Sequence, residues 1–256
     1  NEAYFIKKKQ ENGKMTERKQ ALLTGASRGI GAEIARMLAK EGYDLFLICK
    51  SAEKEIAQIK QELEAEFGIC CRTALCDVSD AGQVEWAVSQ AGEVHVLINN
   101  AAISYVGLLT DMTVEQWQQV INTNLSSLFY FCRLTVPGMV HRKQGKIINI
   151  SSVWGNVGAS MEVAYSAAKG GVNSFTKALA KELAPSNIQV NGVSFGIIDT
   201  RMNACFSENE LAAIREEIPA DRIGTAKEAA QMVRQVLNAP SYFTGQIVTM
   251  DGGWQG

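Results

Sequence analysis

The chain is poor in the residues that build metal centres and disulfide frameworks. Its 256 residues include two histidines, His95 and His141, and neither sits in a ligand-like pattern. The six cysteines (Cys49, Cys70, Cys71, Cys76, Cys132 and Cys205) show no Cys-x-x-Cys spacing. No metal is therefore expected, and burial as small hydrophobes in a reducing, cytoplasmic compartment is the natural reading. No apolar run approaches the ~20 residues of a membrane-spanning helix. Residues 1–14 (NEAYFIKKKQENGK) are polar and basic and lack the apolar stretch of a secretory signal. Prolines number four, no Pro/Gly/Ser-rich linker divides the chain, and no segment repeats. Charge of one sign is missing too. The net charge is −2, made of +3 over the first twenty residues and −5 over the rest, which does not suit a nucleic-acid binder.

An apolar content of 46% and a charged content of 20% are ordinary for a globular protein with a sizeable core. Short apolar runs alternate with longer amphipathic ones. Strands are expected at 21–24, 45–49, 70–76, 94–99, 146–151, 188–193 and 246–250. Helices are expected at 30–41, 53–67, 81–91, 114–140, 163–183, 208–217 and 226–237. Strands separated by helices of this length imply crossovers and a parallel sheet covered on both faces. The expectation is an α/β fold: one doubly wound domain of about seven strands over residues 15–256, with residues 1–14 as a peripheral tail. Such sheets bind ligands beyond the carboxyl ends of their strands.

Chemistry is concentrated in two places. Tyr165 and Lys169 lie four residues apart on one expected helix face, and Ser152 ends the preceding strand. A phenol titrates near pH ~10, and a neighbouring ammonium favours its ionised form. A phenol, an ammonium and a hydroxyl so placed suit proton transfer to or from an alcohol or carbonyl oxygen. The second place is the run Thr24-Gly25-Ala26-Ser27-Arg28-Gly29-Ile30-Gly31, which joins the first strand to the first helix. Gly25 permits a tight turn, Gly29 lets a pyrophosphate approach the backbone, and Gly31 allows close helix–strand packing.

These motifs, with Asn99-Asn100-Ala101-Ala102 and the Asn124 of INTNL, resemble the short-chain dehydrogenase/reductase family over residues 20–254. The resemblance implies a Rossmann-type fold and an oxidoreductase. It implies a catalytic set of Asn124, Ser152, Tyr165 and Lys169, in which Tyr165 is the general acid for reduction. Lys169 would lower the phenol's pKa and bind the nicotinamide ribose. Asn124 would hold a water that relays protons from Lys169. Gly25, Ser27, Gly29, Ile30 and Gly31 would cradle the phosphates. Asp77 and the adjacent Val78 would meet the adenine, although Asp77 also suits a plain helix cap. Asn99 and Ala101 would line the adenosine ribose, and Ile198 and Thr200 would contact the nicotinamide carboxamide and phosphates. The second strand ends in Cys49-Lys50, where an NAD enzyme usually carries an acid. Lys50 and Arg28 instead favour a 2′-phosphate, hence NADP(H).

Within the family, the segments DTRM, IPADRIGTAKEAA and FTGQIVTMDGGW are similar to those of bacterial 3-oxoacyl-[acyl-carrier-protein] reductases. That likeness implies reduction of a 3-oxoacyl thioester in fatty-acid synthesis. It also implies a homotetramer, a mobile lid over 203–219, and an acidic acyl carrier protein met by Arg133, Arg142, Lys143 and Lys181. A sugar, polyol or steroid dehydrogenase is the alternative, and a non-catalytic NADP-binding protein a weaker one. Phe195-Gly196 replaces the family's Pro-Gly, and Ala102 replaces the glycine of its NNAG motif.

Overall fold

The computed structural model describes residues 18–254, so the expected 1–14 tail lies outside the described residues. In chain order the first half runs β1 (Gln20–Thr24), α1 (Gly29–Lys40), β2 (Asp44–Cys49), α2 (Glu53–Phe67), β3 (Cys71–Leu75), α3 (Ala81–Ala91) and β4 (Val96–Asn99). The second half runs α4 (Val114–Ile121), α5 (Ser127–Arg142), β5 (Gly145–Ser152), α6 (Trp154–Val157), α7 (Val163–Leu183), β6 (Ile188–Phe195), β7 (Ile198–Asp199), α8 (Glu208–Glu217), β8 (Gly224–Thr225), α9 (Ala226–Leu237) and β9 (Ile247–Met250).

A single seven-stranded sheet has the order β3-β2-β1-β4-β5-β6-β9, and every pairing in it is parallel. The strands read as continuous apolar runs because both faces are covered. Alternate residues serve opposite cores. On one face Leu23, Leu45 and Leu47 pack with Ile34 and Leu38 of α1, Ile56 of α2 and Val233 of α9. On the other face Leu22, Phe46 and Leu97 pack with Val84 of α3, Phe131 of α5 and Leu183 of α7. The chain reverses its direction of sheet growth between β1 and β4, which opens a crevice at their carboxyl ends.

Two features depart from the expected elements. The single helix expected over 114–140 is broken at Asn122–Ser126 by a wider turn with i→i+5 hydrogen bonding. Such turns occur mostly where a helix carries a functional group. Beyond β6, the segments Ile198–Asp199 and Gly224–Thr225 form a separate two-stranded parallel ladder. At two residues each, these strands are too short for periodicity to reveal. No described helix is long and apolar enough to cross a membrane. No cluster of three or more metal-ligating side chains exists among the described residues.

Candidate active site

The phosphate loop is built by close backbone approaches. Gly25 and Gly29 both hold φ in the left-handed region, at +67° and +54°. A Cβ on Gly31 would sit 2.1 Å from the Gly25 carbonyl oxygen, and one on Gly25 would sit 2.9 Å from Ala101 Cα. A Cβ on Gly29 would lie 3.2 Å from Thr200 Cγ2, which places the 198–200 segment against the loop. Asn100 fastens the assembly. Its Nδ2 donates to the carbonyls of Thr24 (2.9 Å) and Gly25 (3.1 Å). Thr24 Oγ1 accepts from the backbone N–H groups of Asn100 and Ala101, each at 3.0 Å. Neither Thr24 nor Asn100 was assigned a role from the sequence, because holding a loop across two strands leaves no periodic signature. Helix α1 starts after Ser27-Arg28 with no side-chain cap and no acid in its first turn. Its N–H groups and dipole are thus free for an anion. A cradle that three glycine hydrogens barely fill, ending on an uncapped helix, fits a dinucleotide pyrophosphate.

At the adenosine end the expected groups are partly engaged with each other. Lys50 Nζ lies 2.7 Å from Asp77 Oδ2. Asp77 also accepts from Ser79 N (3.0 Å) and Ser79 Oγ (2.7 Å). Burial would raise the Asp77 pKa, but the Lys50 and Ser79 bonds outweigh it and hold the carboxyl below its ordinary value. Val78 beside it is buried, and Cys49 closes the end of β2, also buried. Arg28 is exposed and enters no ion pair among the described residues. The Asn99 side chain is buried and donates to Asn149 Oδ1 at 2.8 Å, and Asn149 in turn donates to Thr176 Oγ1 at 2.9 Å, which leaves the main chain of Asn99 as its part toward a nucleotide. This chain of bonds runs through the core and ties β4 to β5 and α7.

The catalytic set converges at the carboxyl end of β5. Ser152 ends that strand, and Tyr165 and Lys169 come from the buried face of α7. The Ser152 hydroxyl stands near the Tyr165 phenol. Lys169 Nζ donates to the Ile150 carbonyl at 2.7 Å and stands 5.6 Å from the centre of the Tyr165 ring. Burial pushes the phenol up to about 12, Glu162 adds to the rise, and the Ser152 hydroxyl opposes it. Burial brings the Lys169 ammonium down to about 8. Desolvation moves each of the two groups toward its neutral form.

Asn124 sits in the wider turn between α4 and α5. Its side chain clamps Ile103, accepting from the Ile103 N–H at 2.9 Å and donating to the Ile103 carbonyl at 2.8 Å. The amide therefore fixes the loop after β4. Near the far wall, Ile198 is buried in β7, and its carbonyl accepts from Asn203 Nδ2 at 2.7 Å. Thr200 Oγ1 accepts from Met202 N at 3.4 Å. The altered Phe195-Gly196 turn is held by main chain: Val153 N donates to the Phe195 carbonyl (2.9 Å), and Gly196 N donates to the Met250 carbonyl (3.0 Å).

Comparisons with known proteins agree with this geometry. The family model described as short chain dehydrogenase matches residues 19–211. An uncharacterized oxidoreductase of Bacillus subtilis, YmfI, is 39% identical over 92% of this chain and 98% of its own. The 3-oxoacyl-[acyl-carrier-protein] reductase FabG of Escherichia coli is 36% identical, covering 93% of this chain and 97% of its own. The acetoacetyl-CoA reductase of an Acinetobacter strain is 38% identical, covering 93% and 98%. Among solved structures, a blue fluorescent protein from a metagenomic library, in complex with NADPH, superposes with a TM-score of 0.86 at 33% identity, covering 93% of this chain and 98% of that one. A structure from Agrobacterium tumefaciens, provisionally named a gluconate dehydrogenase, gives 0.87 at 31%, covering 93% and 96%. With a glycine cradle on an uncapped helix, a buried phenol beside a buried lysine, and likeness along nearly the whole length, this chain belongs to the short-chain dehydrogenase/reductase family of oxidoreductases.

Proposed function

We propose that this oxidoreductase uses NADPH to reduce a 3-oxoacyl thioester to the 3-hydroxyacyl thioester. The observation that carries the cofactor is Arg28, an unpaired cation at the open start of α1, with no acid at the end of β2. A guanidinium suits a 2′-phosphate, whereas an NAD site would present a carboxylate there. The substrate class rests on the relatives: two that share over a third of their residues with this chain are named for reducing 3-oxoacyl thioesters.

When bound, the nicotinamide supplies the hydride that reduces the carbonyl carbon. The residues of the chain supply position and a proton. Ser152 Oγ donates a hydrogen bond to the substrate carbonyl oxygen and holds it beside the phenol. Tyr165 delivers its proton to that oxygen as negative charge develops there. Lys169, tied to Ile150, fixes the helix face from which the phenol acts. The product is an alcohol, and the phenol must regain its proton before another turnover.

The proposal extends to partners. Arg142 already pairs with Glu93 at 2.8 Å. An acidic acyl carrier protein would therefore meet Arg133, Lys143 and Lys181. The exposed apolar side chains of α5 and the open edge of β9 support assembly into a homotetramer.

The test is oxidation of NADPH, and separately of NADH, with acetoacetyl-CoA or an acetoacetyl carrier protein. Rapid turnover with NADPH alone is expected, and Tyr165→Phe should lower it by about 10²–10⁴-fold while cofactor binding persists. The second reading, a sugar or polyol dehydrogenase, is favoured by the Agrobacterium structure's provisional name. Turnover of polyols but not of acetoacetyl thioesters would select it.

A further inference from the structure

Asn173 lies one turn beyond Lys169 on α7, in the interior of that helix, and is buried. Asparagine is a weak helix former, and a buried amide costs free energy unless it is hydrogen-bonded. A leucine there would carry neither cost. The amide is bonded at both ends. The Ser151 hydroxyl donates to its Oδ1 at 2.6 Å, and its Nδ2 donates to Asn156 Oδ1 at 2.9 Å. Asn156 Nδ2 in turn donates to Ser194 Oγ at 3.2 Å. One side chain thus joins α7 to β5 and α6 and, through Asn156, to β6.

The main chain of Lys169 is gripped at the same place. Ser151 Oγ also approaches the Lys169 carbonyl, at 3.4 Å. A Cβ on Gly155 would stand 2.6 Å from the Lys169 carbonyl carbon and 2.8 Å from its oxygen, so α6 packs directly on that residue. The α6 segment is itself pinned, with Val153 N donating to the Phe195 carbonyl at 2.9 Å and Asn156 N to the Val153 carbonyl at 2.8 Å. Ser151 stands between Ser152 and Ile150, whose carbonyl takes the Lys169 ammonium at 2.7 Å. A second amide bridge from β5 to α7, Asn149 to Thr176 at 2.9 Å, lies further from the reacting end. Buried polar networks that are fully bonded rigidify the elements they join.

We propose that Asn173 is a positioning residue that acts through Lys169 and Tyr165: bonded to Ser151 and Asn156 at once, it fixes the height and rotation of α7 against the end of β5 that carries Ser152. The proposal rests on Tyr165 being the proton donor and not on which carbonyl compound is reduced. Misplacing a reacting group by about 1 Å costs on the order of a hundredfold in rate. Without the amide, Ser151 Oγ keeps only its long approach to the Lys169 carbonyl, and Asn156 loses its tie to α7.

The experiment measures kcat and KM for carbonyl reduction in wild type, Asn173→Leu, Tyr165→Phe and the double variant. Leucine is apolar and similar in size, and it removes both bonds. Asn173→Leu should lower kcat by about tenfold to a hundredfold, with KM changed far less. In the Tyr165→Phe background no phenol remains to be aligned, so the same substitution should cost much less. Losses of equal size in both backgrounds would overturn the proposal, because they would mark a general effect on the fold. An unchanged kcat in Asn173→Leu would overturn it too. A second measurement needs no substrate and is independent of the acyl-thioester reading. Amide hydrogen exchange in Asn173→Leu should rise over 150–157 and 163–173 and stay at the wild-type level in β1, β2 and β3. Exchange unchanged over 163–173, or raised evenly across the whole sheet, overturns the proposal whichever carbonyl compound is the substrate.

Discussion

Single residues carry the chemistry here through burial as much as through identity. Lys169 is buried, and its ammonium is brought down to about 8 from an ordinary value of 10.5. A folded pKa depressed in this way means the fold favours the neutral amine. The associated stability is present above the unfolded value and is lost as pH falls through the folded one. Thermal stability of wild type relative to Lys169→Met should therefore decline between about pH 10 and pH 8. A difference that stays constant over that range would mean the bond to Ile150 accommodates the charge fully. Arg28 and Lys50 were equals in the sequence, and the structure separates them. Lys50 must first leave Asp77 to reach a phosphate, whereas Arg28 has no such tie. Arg28→Ala should weaken NADPH binding by about tenfold to a hundredfold, and Lys50→Ala by clearly less, with NADH little changed by either. Calorimetric titration reads both, and equal losses would show that the Lys50–Asp77 pair opens at no cost.

Whole elements set where those residues stand. Helix α1 can begin directly under the end of β1 only because Gly31 lets the Gly25 carbonyl approach. Alanine at that position would place a methyl group 2.1 Å from an oxygen that belongs to the backbone. Gly31→Ala should therefore cost about 1–3 kcal/mol in urea unfolding and weaken nucleotide binding. An unchanged midpoint would mean the loop relaxes freely. The long stretch after β4 is instructive in another way. Its apolar spacing is helical throughout, so one helix was the natural reading of 114–140. The wider turn at Asn122–Ser126 carries Asn124, whose side chain is committed to Ile103 on a different segment. Nothing in local propensity marks that commitment. By contrast α2, α3, α7, α8 and α9 end where they were expected to end. Each has a local stop signal or a clear change of pattern, such as Gly68 in the left-handed region after α2.

For the molecule as a whole, the surface speaks to assembly. Phe129 on α5 is 51% exposed and Val140 on the same helix 38%. The parallel sheet ends in β9 with one open edge. Isolated apolar residues need no explanation, but an exposed pair on one long helix and an unpaired sheet edge are both surfaces a second copy could cover. Sedimentation should return about four times the 27.9 kDa chain mass, and Phe129→Glu should shift the population to smaller species. A monomer in wild type would leave those faces without an occupant and remove the tetramer from the proposal.

What the sequence determined by itself was the sheet, its covering helices and which residues form the candidate site. Strand and helix periodicity is written locally, and glycine, serine, tyrosine and lysine at set spacings carry chemical meaning without a fold. Tertiary structure alone decided which of these groups point at one another. It turned Asn99 into the core, paired Lys50 with Asp77, and raised the Tyr165 phenol by desolvation. Those outcomes depend on contacts between residues tens of positions apart and on the water that packing removes, and neither is encoded in any short stretch of chain.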